Sequence, residues 1–375
     1  MAGSTIGNIF RITTWGESHG RGIGVVVDGC PAGLSLSEAD IQEYLDRRKP
    51  GQSRFTTQRK EEDSVEILSG IFEGKTTGTP ISMMVWNKDQ HSKDYSEIAS
   101  YYRPGHADYP FDEKYGFRDY RGGGRSSGRE TIGRVAAGAI AAKLLKEMGI
   151  EICAYSKSIG SVCVSLPTDP VGMPDLCDIK KLRDNSPLAM PDPQKTELAS
   201  DYLSQCLSER NSAGGVIECI TTGLPVGLGD PVFEKIDANL AKAILSIGAV
   251  KGFEIGDGFA VSTSTGITNN DAFSLGEDNR VTKVTNHSGG TLGGMTDGST
   301  LIFRAAIKPT PSIAASQQTV NKAGEEIEIS IKGRHDPIIV PRAVVVVEAM
   351  TALTLADALL MNITSRLDNI KSFYC

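Results

Sequence analysis

Three segments near the start of the chain recur, in the same order, near its end. DGCPAGL (28–34) matches TGLPVGL (222–228), GIFEGKTTGTPI (70–81) matches GTLGGMTDGSTL (290–301), and GRSS (124–127) matches GRHD (333–336). Ordered self-similarity of this kind is typical of a duplicated structural unit. The pattern predicts one pseudo-symmetric domain over residues 1–375. Its halves are expected at about 1–150 and 214–370, with an insertion at about 151–213 between them.

Local patterns place helices and strands within these halves. Ser37-Glu-Ala-Asp40 is a capping box that opens a helix, and Lys49-Pro50-Gly51 ends it. The alanines and the glycine between Ala136 and Ala142 predict a buried helix at about 130–148 that neighbouring elements approach closely. Further helices are predicted at about 236–247 and 342–367, and strands at 22–27, 81–86, 215–220, 300–305 and 326–331.

The cysteine count and the distribution of apolar residues predict the cellular compartment of the chain. The seven cysteines form no CxxC pair and are odd in number, which argues against a complete disulfide framework and favours reduced thiols in the cytoplasm. The N-terminus lacks a basic segment followed by an apolar run, and nowhere do about 18 apolar residues follow one another. Neither a membrane partner nor a targeting segment is therefore expected.

The stretch RDYRGGGRSSGRETIGR (118–134) carries five arginines in a chain whose net charge is -7. Arginine presents planar donors that suit phosphate and carboxylate groups. Gly122-Gly123-Gly124 lets backbone amides approach a ligand, and the run leads into a helix N-terminus, which favours anions. Asp119 and Glu130 are the only acidic residues in the run, too few to neutralise it. The run predicts a polyanionic ligand, and its alternative is a solvated cluster of surface charge.

Other anion-binding classes fit the run less well. It is not a P-loop, because Arg129 and Glu130 stand where the lysine and the magnesium-binding hydroxyl belong. No apolar strand leads into it, as a dinucleotide fold requires. Tyr115, Phe117 and Tyr120 could stack RNA bases, but the net charge of -7 and a single other basic stretch, RRKPGQSR (47–54), argue against a nucleic-acid partner.

Histidines are scarce, with five in the chain. His19 lies in GESHG and His106 in RPGHAD, both next to glycine in expected loops, and His335 lies in GRHDP. Two histidines in such loops, one of them close to Arg103, fit a general acid and its partner. No spacing of His, Cys or Asp resembles a metal site, so none is expected. The residues alone indicate an enzyme that acts on a small phosphorylated anion by acid and base chemistry, and they leave the reaction open.

Seven motifs, in consistent order over nearly the whole chain, resemble the chorismate synthase family. They are GESHG (16–20), RPGHAD (103–108), YRGGGRSSGRET (120–131), GLGDPVFEK (227–235), GGMTDG (293–298), IKPTPS (307–312) and KGRHDP (332–337). The resemblance implies a carbon-oxygen lyase of the shikimate pathway of aromatic amino acid biosynthesis. Such an enzyme converts 5-enolpyruvylshikimate 3-phosphate to chorismate and phosphate by a 1,4-anti elimination, and it requires reduced FMN.

The resemblance also implies roles for individual residues. His19 is expected to protonate the departing phosphate, and His106 to lie near N1 of the flavin. Asp336 is expected near N5, where it assists removal of the C6 proton, with Ser18 and Ser127 as candidate relays. The implied substrate-binding residues are Arg48, Arg54, Arg103, Arg129, Arg134 and Arg334. The implied FMN-binding residues are Arg125, Ser126, Ser127, Gly248, Ala249, Gly293, Lys308, Pro309, Thr310, Pro311, Ser312 and Arg334.

The fold implied by the family is α+β, a β-α-β sandwich with helices between antiparallel sheets and an internal pseudo-twofold duplication. The implied assembly is a homotetramer. The chain contains no separate nicotinamide motif, so an external flavin reductase is the expected source of reduced FMN, with direct reduction by NADPH as the alternative.

Overall fold

The computed structural model describes residues 3–51, 54–55, 62–87, 97–166, 173–276, 279–331 and 336–375. Its helices are α1 (Glu38–Arg48), α2 (Asp108–Tyr115), α3 (Thr131–Glu147), α4 (Leu176–Asp184), α5 (Pro193–Ser208), α6 (Ile236–Leu245), α7 (Gly266–Asn269), α8 (Val340–Asn362) and α9 (Leu367–Tyr374). Its strands are β1 (Thr5–Ile6), β2 (Arg11–Gly16), β3 (Gly22–Asp28), β4 (Val65–Ile67), β5 (Ile71–Phe72), β6 (Lys75–Thr76), β7 (Ile81–Trp86), β8 (Glu151–Ile159), β9 (Val162–Cys163), β10 (Gly215–Thr222), β11 (Val250–Ile255), β12 (Phe273–Leu275), β13 (Val281–Lys283), β14 (Thr291–Leu292), β15 (Met295–Thr296), β16 (Leu301–Ile307), β17 (Gln317–Val320) and β18 (Glu326–Ile329).

Two five-stranded antiparallel sheets dominate the fold. The first has the strand order β1-β2-β3-β7-β4, and the second has the order β11-β16-β10-β8-β9. In the first sheet Val25 pairs with Met83, and in the second Cys219 pairs with Phe303. All four of these side chains are buried, because the inner face of each sheet packs against helices. The mixture of helices with antiparallel sheets makes this an α+β protein.

The long helices α3 and α8 form the centre of the core. Helix α3 contacts β2, β3 and β7 of the first sheet, whereas α8 contacts β8 and β10 of the second, and the two helices pack on each other. Their close approach depends on Gly138, because a Cβ atom there would lie 2.3 Å from Cβ of Ala349. The prediction that neighbouring elements approach this helix closely is confirmed.

The segment Val340–Ser365 is long and apolar enough to cross a membrane by length and composition alone. In this fold, however, 78% of its most apolar window is buried inside the protein. Arg342, Glu348 and Asp357 on the same helix each make an ion pair or hydrogen bonds to other elements. Helix α8, which makes up most of this segment, is therefore a central core helix of the fold.

Equivalent strands carry the repeated sequence segments. DGCPAGL begins at the end of β3 and TGLPVGL at the end of β10, while the second pair of repeats forms the hairpins β5-β6 and β14-β15. The hydroxyl of Thr76 donates to the carbonyl of Pro31 at 2.7 Å, and that of Thr296 donates to the carbonyl of Pro225 at 2.6 Å. The same sequence pattern thus makes the same hydrogen bond in both places. Beside β10, strand β8 holds the place that β2 holds beside β3, although β8 lies in the predicted insertion.

The predicted helices and strands agree with the fold apart from their ends. The capping box of α1 is present, with the backbone N–H of Ser37 donating to Asp40 at 2.8 Å. The helix predicted at 342–367 is interrupted: α8 ends at Asn362, a short 3₁₀ turn follows, and α9 begins at Leu367. Alternating exposure along β2 and the burial of Cys153 to Ser156 in the middle of β8 mark two strands that the periodicity did not reveal.

Candidate functional site

One cavity of about 1320 Å³ collects most of the predicted site residues from loops that are far apart in sequence. Its walls come from the β2-β3 loop, the segment before α2, the arginine run, the turn after α6, and the segment after β16. The predicted residues that line it are Ser18, His19, Arg103, His106, Arg125, Ser126, Ser127, Arg129, Arg134, Gly248, Ala249, Lys308, Thr310, Pro311, Ser312 and Asp336.

Four predicted residues do not line the cavity. Arg48 is only 2% exposed, and its guanidinium lies behind the wall, where it donates to the carbonyl of Gly128 at 3.2 Å. Arg54 stacks over the ring of Phe55, Gly293 forms the turn of the β14-β15 hairpin, and Pro309 lies between lining residues. Arg334 lies outside the described residues, as does His335.

His19 lies in a tight turn between β2 and β3. The turn closes through the N–H of Gly20, which donates to the carbonyl of Glu17 at 3.1 Å. The imidazole lies against the backbone of Gly122, where an added Cβ would stand 2.3 Å from Cδ2 of the ring and 2.6 Å from Nε2. The absence of a side chain at residue 122 therefore makes room for the ring. The hydroxyl of Ser18 is buried and has no hydrogen-bond partner among the described residues.

His106 is held at both ring nitrogens. Nδ1 lies 3.1 Å from the carbonyl of Pro104, and Nε2 lies 3.0 Å from Oγ of Ser312. A carbonyl oxygen can only accept, so Nδ1 carries the proton and Nε2 of the neutral ring accepts from the serine hydroxyl. Burial lowers the pKa of His106, and the nearby Arg103 guanidinium lowers it further. The imidazole is therefore neutral at pH 7.

The two acidic residues of the run are not the only partners of its arginines, because other segments supply further carboxylates. Asp63 contacts Arg129 at 3.2 Å and Glu130 contacts Arg134 at 2.7 Å. Each of these carboxylates is shared with a second arginine, and further pairs join Arg118 to Asp108 and Arg121 to Asp119. The local sequence does not show these pairs because Asp63 and Asp108 come from other segments.

Asp63 and Asp108, which hold arginines named above, have lowered pKa values and remain charged. Burial alone would raise the pKa of Asp63, but the guanidiniums of Arg48 and Arg129 outweigh it and the net shift is downwards. Burial alone would likewise raise the pKa of Asp108, but hydrogen bonds from Arg103 outweigh it and bring the pKa to about 2. An arginine has five N–H donors, and a single carboxylate cannot satisfy all of them. The same side chains can therefore also present donors to a ligand in the cavity.

The far wall of the cavity joins the turn after α6 to the segment after β16. Ala249 has a φ of 72°, and its carbonyl accepts from the N–H of Lys308 at 2.9 Å. The ammonium of Lys308 donates to the carbonyl of Gly105 at 2.7 Å, which ties this wall to the loop of His106. The hydroxyl of Thr310 is buried and has no hydrogen-bond partner among the described residues. This wall can therefore offer hydroxyl, ammonium and backbone groups to a bound phosphate or a heterocycle.

Three functional residues escaped the sequence analysis. Arg342 lines the cavity and pairs with Asp336 at 2.6 Å, Asp63 holds two arginines, and Asn87 contacts Arg129. Asn87 follows directly on the predicted strand 81–86, and a polar residue at the end of a strand was a usable signal. Arg342 and Asp63 belong to none of the motifs found in the sequence. In the described ranges no group of three or more His, Cys, Asp or Glu side chains is arranged to hold a metal ion.

Two histidines, buried carboxylates and several arginines from separate loops thus surround one cavity in an α+β fold. These features define an enzyme with a site for a small, multiply charged anion. The sequence profile of the chorismate synthase family matches residues 10–360, and the chain belongs to that family.

Relatives and a solved structure support the assignment over the full length. The chorismate synthase of Agathobacter rectalis is 72% identical over 374 residues, covering 100% of this chain and 99% of its own. That of Lachnospira eligens is 67% identical, with 100% of both chains covered. A crystal structure of chorismate synthase superposes with a TM-score of 0.78 at 33% identity, and the match covers 98% of this chain and 97% of the other.

Proposed function

We propose that the protein catalyses the 1,4-anti elimination of phosphate from 5-enolpyruvylshikimate 3-phosphate, giving chorismate, with a requirement for reduced FMN. The reaction breaks the C3–O bond to phosphate and the C6–H bond, and the electron pair of the latter becomes part of the new diene. It belongs to the shikimate pathway of aromatic amino acid biosynthesis. The observation that carries the proposal is the convergence of His19, His106, Asp336 and the arginines on one cavity of about 1320 Å³.

The substrate carries two carboxylates and a phosphate, and the arginines offset the cost of taking those charges out of water. Arg103, Arg129 and Arg134 line the cavity and each is oriented by a carboxylate. A guanidinium held in this way keeps its direction before the ligand arrives, so binding orders fewer side chains. Arg48 and Arg54 would contribute from outside the lining, and Arg334 completes the proposed set.

The far wall fits FMN in its chemistry. Lys308, Thr310 and Ser312 provide an ammonium group and two hydroxyls, and the Thr310 hydroxyl is a buried donor without a partner among the described residues. Gly105 leaves room beside this wall, since a Cβ there would stand 2.7 Å from Cβ of Pro311. The other proposed contacts are Arg125, Ser126, Ser127, Gly248, Ala249, Gly293, Pro309, Pro311 and Arg334. When bound, reduced FMN supplies transient electron density as phosphate leaves.

Each ionisable residue has a task that fits its surroundings. His19 gives a proton to the departing phosphate, and the buried hydroxyl of Ser18 beside it is available as a relay together with Ser127. His106, neutral and with its proton on Nδ1, accepts from the Ser312 hydroxyl at Nε2, and the oxygen of that hydroxyl can accept from a ligand on the far wall. Asp336, oriented by Arg342, assists removal of the C6 proton.

The proposal extends to the assembly and the location of the protein. Phe259, Ile267 and Phe273 are 83%, 95% and 65% exposed, and large apolar side chains exposed in this way are available for a subunit contact. We propose a homotetramer that works in the cytoplasm, where the free thiols stay reduced. We also propose that residues 1–375 form one β-α-β sandwich domain that arose by duplication, and that an external reductase supplies reduced FMN.

An anaerobic assay tests the proposal. The protein is mixed with chemically reduced FMN and 5-enolpyruvylshikimate 3-phosphate, and chorismate absorbance and phosphate release are followed together. Equal amounts of both products are expected. A flavin reductase or flavin carrier would instead release no phosphate while oxidising NADPH. Repeating the assay with oxidised FMN and NADPH shows whether the protein reduces its own flavin.

A further inference from the structure

We infer that Asn87 is a positioning residue that holds the His19 turn and the Arg129 guanidinium in one fixed arrangement. The inference rests on the proposed roles of His19 as proton donor and Arg129 as substrate-binding residue. Asn87 stands directly after β7, at the point where this strand leaves the first sheet and enters the cavity wall. Nothing in the family resemblance assigns it a role.

The side chain of Asn87 uses its two ends on two different parts of the site. Its Nδ2 donates to the carbonyl of Glu17 at 3.1 Å and to that of Gly20 at 2.8 Å. These carbonyls lie at either end of the turn that carries Ser18 and His19. Its Oδ1 accepts from Arg129, from Nη2 at 2.7 Å and from Nε at 3.2 Å.

The chemistry of the partners fixes the orientation of the amide. Carbonyl oxygens only accept and a guanidinium only donates, so the nitrogen must face the turn and the oxygen must face Arg129. Both protons of the amide nitrogen and both lone pairs of its oxygen are thereby used. A carboxylate of the same shape would keep the bonds from Arg129, lose both donors, and place negative charge against two carbonyl oxygens. Asparagine is the residue that satisfies both sides at this length.

Other contacts make the arrangement rigid. The backbone N–H of Asn87 donates to the carbonyl of Arg21 at 3.0 Å, so main chain and side chain both hold the 17–21 segment. On its other side Arg129 contacts Asp63 at 3.2 Å, and the side chain of Asp63 is 1% exposed. The guanidinium is therefore clamped between Asp63 and Asn87.

This arrangement matters because the proton donor and the anion-binding group must act on the same ligand. Arg129 is proposed to hold an anionic group of the substrate, and His19 is proposed to protonate the departing phosphate. A displacement of about 1 Å between catalytic groups can cost about a hundredfold in rate. Because the side-chain amide of Asn87 contacts both the His19 turn and Arg129, it prevents such a displacement.

A double-mutant cycle in the anaerobic assay tests whether Asn87 acts through His19. We expect Asn87→Asp to lower kcat about ten- to a hundredfold in the wild-type background, but less than about threefold in a His19→Ala background, because the displaced group is then already missing. Asn185→Asp, which adds the same charge at an exposed position outside the cavity lining, is the control and should leave kcat unchanged. Equal factors in both backgrounds would overturn the inference.

Hydrogen exchange read by mass spectrometry provides a test that needs no turnover. Asn87→Asp should raise the exchange of amides in 17–21 while leaving helix α3 as protected as in the wild type. Unchanged exchange in 17–21 would overturn the inference whatever the assay shows. If wild-type protein forms no phosphate, the proposed function fails and this measurement still decides the role of Asn87. Should Asn87→Asp fail to fold, Asn87→Ala is measured instead, and it must also loosen 17–21, because it removes the same two donors.

Discussion

Oγ of Ser312 lies 3.0 Å from Nε2 of His106, on the opposite edge of the ring from the carbonyl of Pro104, which is 3.1 Å from Nδ1. The two contacts together select the neutral ring with its proton on Nδ1. They also join the loop before α2 to the segment after β16, so the state of one imidazole depends on two walls of the cavity. The pH response of the site follows from this arrangement.

We predict that His106 makes the folded protein less stable as the pH falls below neutrality. Burial and the nearby Arg103 lower its pKa in the folded state from 6.5, so the unfolded chain binds more protons as the pH drops through 6.5. Stability contributed by the neutral ring is present above that pH and is lost as the pH falls through the folded pKa. Urea unfolding without ligands should show a shallower loss between pH 7 and 5 in His106→Gln than in the wild type. An equal or steeper loss in the variant would contradict the assignment.

We predict that His19→Ala and His106→Ala each lose most turnover and still bind oxidised FMN. Each residue supplies a proton or a hydrogen bond during the reaction more than it supplies binding energy, and loss of a general acid typically costs about 10²- to 10⁴-fold in rate. The anaerobic assay gives kcat, and quenching of flavin fluorescence gives the FMN affinity. Unchanged turnover in either variant would refute the role of that histidine.

We predict that Gly122→Ala lowers turnover by displacing His19 and leaves the protein folded. The added methyl group would stand 2.3 Å from the ring of His19 and 2.9 Å from Oγ of Ser18, so the imidazole has to move. These are side-chain atoms, which can shift, and the melting temperature should change little. We expect at least about a tenfold loss of kcat. A variant with full turnover would show that His19 does not need its present position.

The sequence was sufficient where a local pattern determines local structure. The capping box at Ser37 and Asp40 begins α1 as predicted, and the strand predicted at 81–86 has those limits. The arginine run was correctly placed beside a glycine-rich turn and before a buried helix. In these segments the residues that form the pattern also make the contacts.

The sequence was insufficient where distant segments determine the site. Asp63 and Asn87 are 66 and 42 residues from Arg129 in sequence, and both contact it, yet neither belongs to a motif. Which carboxylate neutralises which arginine depends on the packing of whole helices and sheets, and no local pattern encodes it. For the same reason the sequence did not show that the guanidinium of Arg48, an implied substrate-binding residue, is buried against Asp63 at 2.6 Å.

Gly138→Ala should destabilise the protein although alanine favours helices. A Cβ at residue 138 would lie 2.3 Å from Cβ and 2.5 Å from Cα of Ala349, so α3 and α8 would have to move apart. Overpacking of this kind costs about 1–3 kcal/mol, more than the gain of about 1 kcal/mol in helix propensity. Urea unfolding measures the difference. Gly266→Ala at the start of α7, where an added Cβ meets nothing within 4 Å, is the control and should not destabilise.

Glu348→Gln should be among the most destabilising single changes outside the cavity. The carboxylate on α8 contacts Arg47 of α1 at 2.7 Å and Arg183 of α4 at 2.6 Å, and it accepts from the N–H of Ala154 at 2.8 Å. Burial alone would raise the pKa of Glu348, but the two guanidiniums outweigh it and the net shift is downwards. The amide variant keeps the shape and leaves the buried Arg183 without its counter-charge on α8.

Breaking a buried ion pair by removing one partner typically costs about 3–5 kcal/mol, and we expect a loss of that order in the free energy of unfolding. Asp28→Asn is the matched control, because its pair with Arg11 is about half exposed and such pairs contribute less than about 1 kcal/mol. Both variants are unfolded in urea at pH 7 without ligands. Equal losses in the two would show that the contact between α1, α4 and α8 does not depend on the charge of Glu348. A large loss confined to Glu348→Gln would show that this one carboxylate holds α1 and α4 to α8.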